Sequence, residues 1–186
     1  MDIFDVITSR RSIKNFTDRS ISNEAIQQLL QIAVQAPNHR LTEPWRFYVL
    51  GPEGRGHYGA ALGARKAKKI EDPAAADAVL QKVAETHRDL PAMLAVSMTV
   101  DENPEIREED YASTFMAIQN LCLAACAMGL GTHVKSGAVM DDPSARAAVG
   151  VGENERIVAT ISLGEPADIP APKHRHEASD FTKWVP

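Results

Sequence analysis

The stretch from Tyr111 to Met128 constrains the fold most. It reads as one long helix whose apolar residues Phe115, Met116, Ile118, Leu121, Cys122, Leu123 and Met128 fall on nearly every side instead of along one stripe. A helix that is apolar all round has to be buried all round. The most apolar part, Phe115 to Leu130, is broken by Gln119 and Asn120 and is shorter than the roughly 20 residues that a membrane span requires. Its cover must therefore be protein. In a chain of 186 residues that cover is most simply completed by a second copy, which predicts a homodimer.

The remaining elements follow from periodicity and punctuation. Ile3, Val6 and Ile7 give a first helix an apolar face, and the polar stretch Ser9 to Lys14 ends it. Ser22 suits the N-cap of a second helix, with Ile21 and Ile26 as a hydrophobic staple and Ile26, Leu29, Leu30 and Ala33 as the buried stripe; Pro37 stops it. Trp45 to Leu50 reads as a strand closed by Gly51 and Pro52. Residues 56–88 are rich in Ala, Lys, Gln and Glu and are divided by Pro73, which predicts two surface helices in a charged excursion. Strands follow at Met93 to Val100, Thr132 to Lys135 and Ile157 to Leu163, with a short helix at Pro143 to Val149. The tail from Ala167 to Pro186 reads as an extended arm. Helices separate most strands, so a mixed α/β or α+β layer fold in a single domain, residues 1–186, is expected.

Charge and cysteine usage narrow the function. Lys plus Arg total 20 against 25 Asp plus Glu, a net charge of -5, where a nucleic-acid partner would call for a basic balance. A local cationic pocket for one small anion is compatible with that total. The opening residues carry Asp2 and Asp5 and no basic region followed by an apolar one, so a cytoplasmic protein without a secretory signal is expected, with no membrane partner. Cys122 and Cys126 stand among Leu and Ala with neither disulfide nor zinc spacing, and read as small core hydrophobes. The six histidines form no ligand spacing, so no metal is expected.

Three clusters could carry chemistry. Arg10-Arg11-Ser12-Ile13-Lys14 offers guanidinium forks, a hydroxyl and an ammonium, a set that suits phosphate; the same cations could simply complement a helix C-terminus. Gly54-Arg55-Gly56-His57-Tyr58-Gly59 fits the GxGxxG spacing of a dinucleotide turn, yet the expected acid about 20 residues on would fall in the helical Pro73 to Asp77 region, and a plain glycine-rich loop is the other reading. Lys135-Ser136-Gly137 leaves a short strand and offers either a second anion contact or a turn. His174-Arg175-His176 in the tail reads as a solvated charge patch.

Taken in order, several segments resemble the FMN-dependent NAD(P)H nitroreductase family, in particular its short-subunit branch. They are Arg10-Arg11-Ser12-Ile13-Lys14-Asn15-Phe16, Ala36-Pro37-Asn38-His39, Pro44-Trp45-Arg46-Phe47, Gly129-Leu130-Gly131-Thr132, Lys135-Ser136-Gly137 and Gly164-Glu165-Pro166. Each is weak alone; the ordered set spans Met1 to about Pro166. The resemblance implies an α+β fold with a central, mostly antiparallel sheet flanked by helices, in an interlocked homodimer with FMN at the interface. It further implies that Arg10 and Ser12 hold the phosphate and ribityl chain, that Arg11 contributes through backbone or side chain, and that Lys14 reaches the ring. Gln35 and His39 match positions near the cofactor contributed across the dimer, and Val134, Lys135 and Ser136 match a later cofactor loop. Glu43 stands where Gln usually precedes Pro-Trp, and Lys135 where relatives carry Arg; the first bears on substrate charge, the second on bidentate phosphate binding.

The implied activity is a ping-pong reduction of nitroaromatics, quinones or related electron-poor small molecules, with NADH or NADPH as reductant, bound FMN as carrier and no side chain as catalytic acid or base. The competing expectations are a non-catalytic flavin-binding protein and a Rossmann-type NAD enzyme built on Gly54 to Gly59.

Overall fold

A computed structural model describes residues 2–186. In chain order the elements are α1 (Ile3–Ser9), α2 (Asn23–Ala33), β1 (Trp45–Val49), α3 (Pro52–Ala67), α4 (Pro73–Arg88), β2 (Ala92–Thr99), α5 (Pro104–Ala127), β3 (Gly131–Lys135), α6 (Pro143–Val149) and β4 (Glu155–Gly164), with 3-10 turns at Ala138–Asp141 and Ala178–Phe181. The strands form one sheet in the order β1-β2-β4-β3, and every neighbouring pair is antiparallel. This is the α+β sheet with flanking helices that the sequence predicts.

The sheet is buried on both faces, and the period of a strand decides what each face meets. Leu94, Val96 and Met98 of β2 pack with Ile26, Leu29 and Ala33 of α2 and with Ala117, Leu121 and Ala125 of α5. Met93 and Ala95 point the other way, onto Tyr58 and Ala61 of α3 and Ala145 and Val149 of α6. Because both faces are covered, β2 reads as a continuous apolar run. Ser22 caps α2 as predicted, its Oγ accepting from Ala25 N at 3.2 Å.

Helix α5 begins seven residues ahead of its apolar stretch: Asn103 is the N-cap and Pro104 the first helical residue, and the acidic turn that follows carries no apolar period. Its inner face is fully buried at Ala117, Leu121 and Ala125, whereas Ala112, Met116, Gln119, Ala127 and Met128 are exposed. The predicted apolar face of α1 also points outward: only Val6 is buried, while Ile3, Ile7 and Phe4 (76% accessible) are exposed. One chain thus covers only part of the two helices, and the uncovered parts include the large apolar residues Ile3, Phe4, Ile7, Met116 and Met128.

The predicted surface excursion differs most from expectation. Helices α3 and α4 pack closely against each other, and Tyr58, Ala61, Ala84 and His87 are buried. The contact is possible because Gly59 and Gly63 lack side chains: a Cβ on Gly59 would lie 2.8 Å from Val83 O, and one on Gly63 2.8 Å from Leu80 Cα. The tail from residue 167 is exposed throughout, including Ile169, Phe181, Trp184 and Val185.

Candidate cofactor site

The Arg10 cluster is held at the edge of the sheet. Helix α1 ends as Arg10 N donates to Val6 O at 3.0 Å, and the chain then runs beside β3, with Ser12 bridged to Thr132 and Ile13 N donating to Thr132 O at 2.9 Å. Farther on, Thr17 N donates to Glu165 O at 3.0 Å and Ala167 N to Asn15 O at 3.0 Å. Extended backbone alternates its side chains, so Ile13 is buried while Ser12 and Lys14 are exposed. Ile13 lies directly on Gly131, where a Cβ would come 2.5 Å from Ile13 Cγ1. Glycine at that position is what lets the segment dock.

Arg10, Arg11, Ser12 and Lys14 line one cleft of about 630 Å³ together with Lys173 and Arg175 of the tail; Asp168 is its one carboxylate. Arg11 is partly committed to the helix end, donating from Nη1 to Thr8 O at 2.7 Å and Arg10 O at 3.0 Å, while its buried Nε has no hydrogen-bond partner. The helix-end role thus falls to Arg11. Among the described residues no carboxylate forms an ion pair with Arg10, Lys14 or Lys135. A chain of net charge -5 thus gathers five cations against one carboxylate in this cleft, whose lining does not include Lys135, and that donor set fits a phosphate. Arg175, read from sequence as part of a solvated patch, is one of its cations.

The second group sits on β3. Lys135 is half-buried, and burial, followed by the charge of Lys66, depresses its pKa. His133, on the same face, is likewise held below its ordinary value by burial and by the charges of Lys135 and Lys14. Ser136 is exposed beside Gly137, whose φ of 109° suits glycine. Val134 differs from its neighbours: its partly buried side chain packs against the core cluster that contains α2 and α5.

Gln35 and His39 are exposed and, like Val134, Lys135 and Ser136, do not line the Arg10 cleft. Gln35 Nε2 donates to Gln31 O at 3.4 Å, and His39 Nδ1 lies 3.1 Å from Glu109 Oε1, next to the Arg40 ion pair with the same carboxylate. The loop they flank is tied down by Asn38, which donates to Asp110 and Ser113 and accepts from Glu43 N at 2.8 Å. Leu41 and Glu43 there take the left-handed conformation, φ 52° and 44°, a strain that only such a network sustains. Sequence reasoning missed His87, whose Nε2 lies 3.5 Å from Lys135 Nζ; its signal was the pair Gly59 and Gly63, four apart on one helix.

The Rossmann reading is overturned. Gly54, Gly56 and Gly59 all lie inside α3, which starts at Pro52, and the strands on either side of that segment, β1 and β2, pair antiparallel, so the glycines do not open a βαβ unit that could place a dinucleotide. A Cβ on Gly56 would meet only the guanidinium of Arg88, at 3.2 Å, a side chain able to move. Gly56→Ala is therefore expected to leave cofactor content unchanged and the melting temperature equal or higher, since alanine gains about 1 kcal/mol over glycine inside a helix. A drop in cofactor content in that variant would restore the Gly54 to Gly59 loop as a nucleotide site.

No helix among the described residues is long and apolar enough to cross a membrane. The sequence matches the Nitroreductase family over residues 7–165. It is 38% identical over 181 residues to the protein named "Putative NAD(P)H nitroreductase YfhC" of Bacillus subtilis, covering 96% of this chain and 92% of that one. The crystal structure of a nitroreductase-like family protein from Bacillus cereus superposes with a TM-score of 0.84 at 30% identity, covering 100% of this chain and 96% of the other. The FMN and NADPH-dependent nitroreductase NfnB from Sphingopyxis shares the fold, with a TM-score of 0.80 at 17% identity and full coverage of both chains. With the motifs in family order, the matching antiparallel core and a match over most of its length, the chain belongs to the nitroreductase family.

Proposed function

We propose that the protein is an FMN-dependent oxidoreductase that uses NADH or NADPH to reduce nitroaromatics, quinones or related electron-poor small molecules, working as a homodimer. The observation that carries this reading is the cluster of uncompensated cations on the sheet edge, set in a member of the nitroreductase family. FMN held in this site would supply two-electron hydride chemistry between a nicotinamide and the second substrate.

The side chains bind and orient. Arg10 presents a fork to the phosphate, Ser12 Oγ hydrogen-bonds the phosphate or ribityl chain, and Arg11 stiffens the helix end from which both project. Lys14 would place positive charge near the ring, where it favours electron uptake, and Lys135 would offer the phosphate a point charge in place of an arginine fork. Val134 contributes through its backbone and Ser136 through its hydroxyl. The partner subunit's Gln35 and the partner subunit's His39 complete the site, which accounts for their distance from the Arg10 cleft within one chain. No side chain is assigned the role of acid or base.

The uncovered apolar surfaces of α1 and α5 support the dimer, and the exposed tail supports an arm that wraps the second subunit. Sedimentation is expected to give twice the chain mass of 20.2 kDa, and Phe4→Glu to shift the protein toward monomer with loss of FMN. A monomeric wild type that keeps its cofactor would contradict the interface site. Steady-state kinetics with a nicotinamide and a quinone are expected to give parallel double-reciprocal lines; intersecting lines would rule out the ping-pong scheme.

A further inference from the structure

His87 is an unusual residue to bury on an otherwise alanine-rich helix. It is 4% accessible near the C-terminal end of α4, and its surroundings fix both its position and its proton. Nδ1 lies 2.8 Å from Val83 O; a carbonyl can only accept, so Nδ1 carries the hydrogen. In the neutral ring Nε2 is then an acceptor, and Lys135 Nζ stands 3.5 Å from it, at the outer edge of hydrogen bonding. Tyr58 faces the ring from α3 with centroids 6.0 Å apart. Burial, with the charges of Lys135 and Lys66 on the surrounding elements, keeps the imidazole neutral. Close approach of α4 is what brings the ring here: a Cβ on Gly59 would lie 2.8 Å from His87 Cβ.

The geometry points to His87 as a positioning residue that holds the Lys135 ammonium through Nε2 and aims it at the bound FMN. The inference rests on the flavin reading above. A free lysine side chain carries about 2 kcal/mol of rotamer entropy that a ligand contact would have to overcome. An acceptor already locked between helix and strand removes part of that cost before the ligand arrives. A carboxylate in the same place would cancel the charge that an anionic cofactor needs, whereas a neutral imidazole orients the ammonium and leaves its charge intact. Helices α3 and α4, which carry none of the family motifs named above, thereby become part of the cofactor site.

The test is FMN affinity of the stripped full-length protein, read from quenching of flavin fluorescence, for wild type, His87→Leu, His87→Gln, Lys135→Met and the His87→Leu/Lys135→Met pair. His87→Leu is expected to weaken binding roughly tenfold, the scale of one charge-assisted hydrogen bond. His87→Gln, which keeps an acceptor near the Nε2 position, is expected to restore most of it, and His87→Leu to have no further effect once Lys135 is Met. Unchanged affinity in His87→Leu, or an equal loss with and without Lys135, would overturn the assignment. Imidazole nitrogen shifts of the wild type provide a reading that no variant's folding can obscure. A neutral Nδ1–H tautomer whose Nε2 signal moves in Lys135→Met agrees with the contact, and an Nε2–H tautomer refutes it. Stripped wild type that binds no FMN would refute the flavin reading itself, and with it any role of His87 toward FMN, which separates that failure from a failure of His87 alone.

Discussion

Arg10→Ala protein is expected to emerge from purification without FMN while folding as the wild type does. Arg10 has no carboxylate partner to lose and its side chain is not part of the core, so the substitution leaves no buried charge unpaired. What it removes is a guanidinium that can grip a phosphate with two charge-assisted hydrogen bonds. Each such bond contributes about 1.5–3 kcal/mol, so with both lost affinity should fall by roughly a hundredfold to ten-thousandfold. Arg11→Ala should act differently, because Arg11 donates to Thr8 O and Arg10 O. Its loss is expected to destabilise the end of α1 by about 0.3–1 kcal/mol and to weaken the cofactor less. Fluorescence titration together with thermal melts separates the two. Full FMN occupancy in Arg10→Ala would remove the cleft as the phosphate site.

Gly131→Val is expected to damage fold and site together. The first added carbon would already lie 2.5 Å from Ile13 Cγ1 and 2.8 Å from Ile13 Cβ, and Ile13 is the buried anchor between Ser12 and Lys14. Either Ile13 leaves its place or the segment lifts off β3, breaking the bond from Ile13 N to Thr132 O. Overpacking on this scale costs about 3 kcal/mol, which in a chain of this length lowers the melting temperature by roughly 6–12 °C. FMN content should fall in the same variant, since Arg10, Ser12 and Lys14 all move with that segment. A Gly131→Val protein with wild-type stability would mean that the docking of residues 10–14 on β3 is not as tight as described.

Much of this arrangement was legible in the residues. Strands β2 and β4 are largely apolar runs and β1 and β3 are marked off by glycine or proline, so their positions agree with the sequence to within a few residues, and Ser22 with its apolar stripe located α2. The cationic cluster and the ordered motifs identified the cleft. Three features were hidden for physical reasons. The buried face of α3 is built from Tyr58 and the small residues Gly56, Gly59, Ala61 and Gly63, and one aromatic among glycines and an alanine does not register as an amphipathic stripe, so a closely packed helix pair read as a solvated excursion. All the large apolar residues of α1 except Val6 point away from their own chain, and periodicity alone does not say which molecule covers a face. Adjacent motif residues on a strand also part company: Lys135 turns toward α4, while Val134 turns into the opposite core.

FMN in this cleft is read most directly from the visible spectrum of the purified, untagged protein. A yellow protein is expected that releases FMN on denaturation, about one per subunit, and bleaches when NADH or NADPH is added. A colourless protein that also fails to take up added FMN would contradict FMN binding in this cleft.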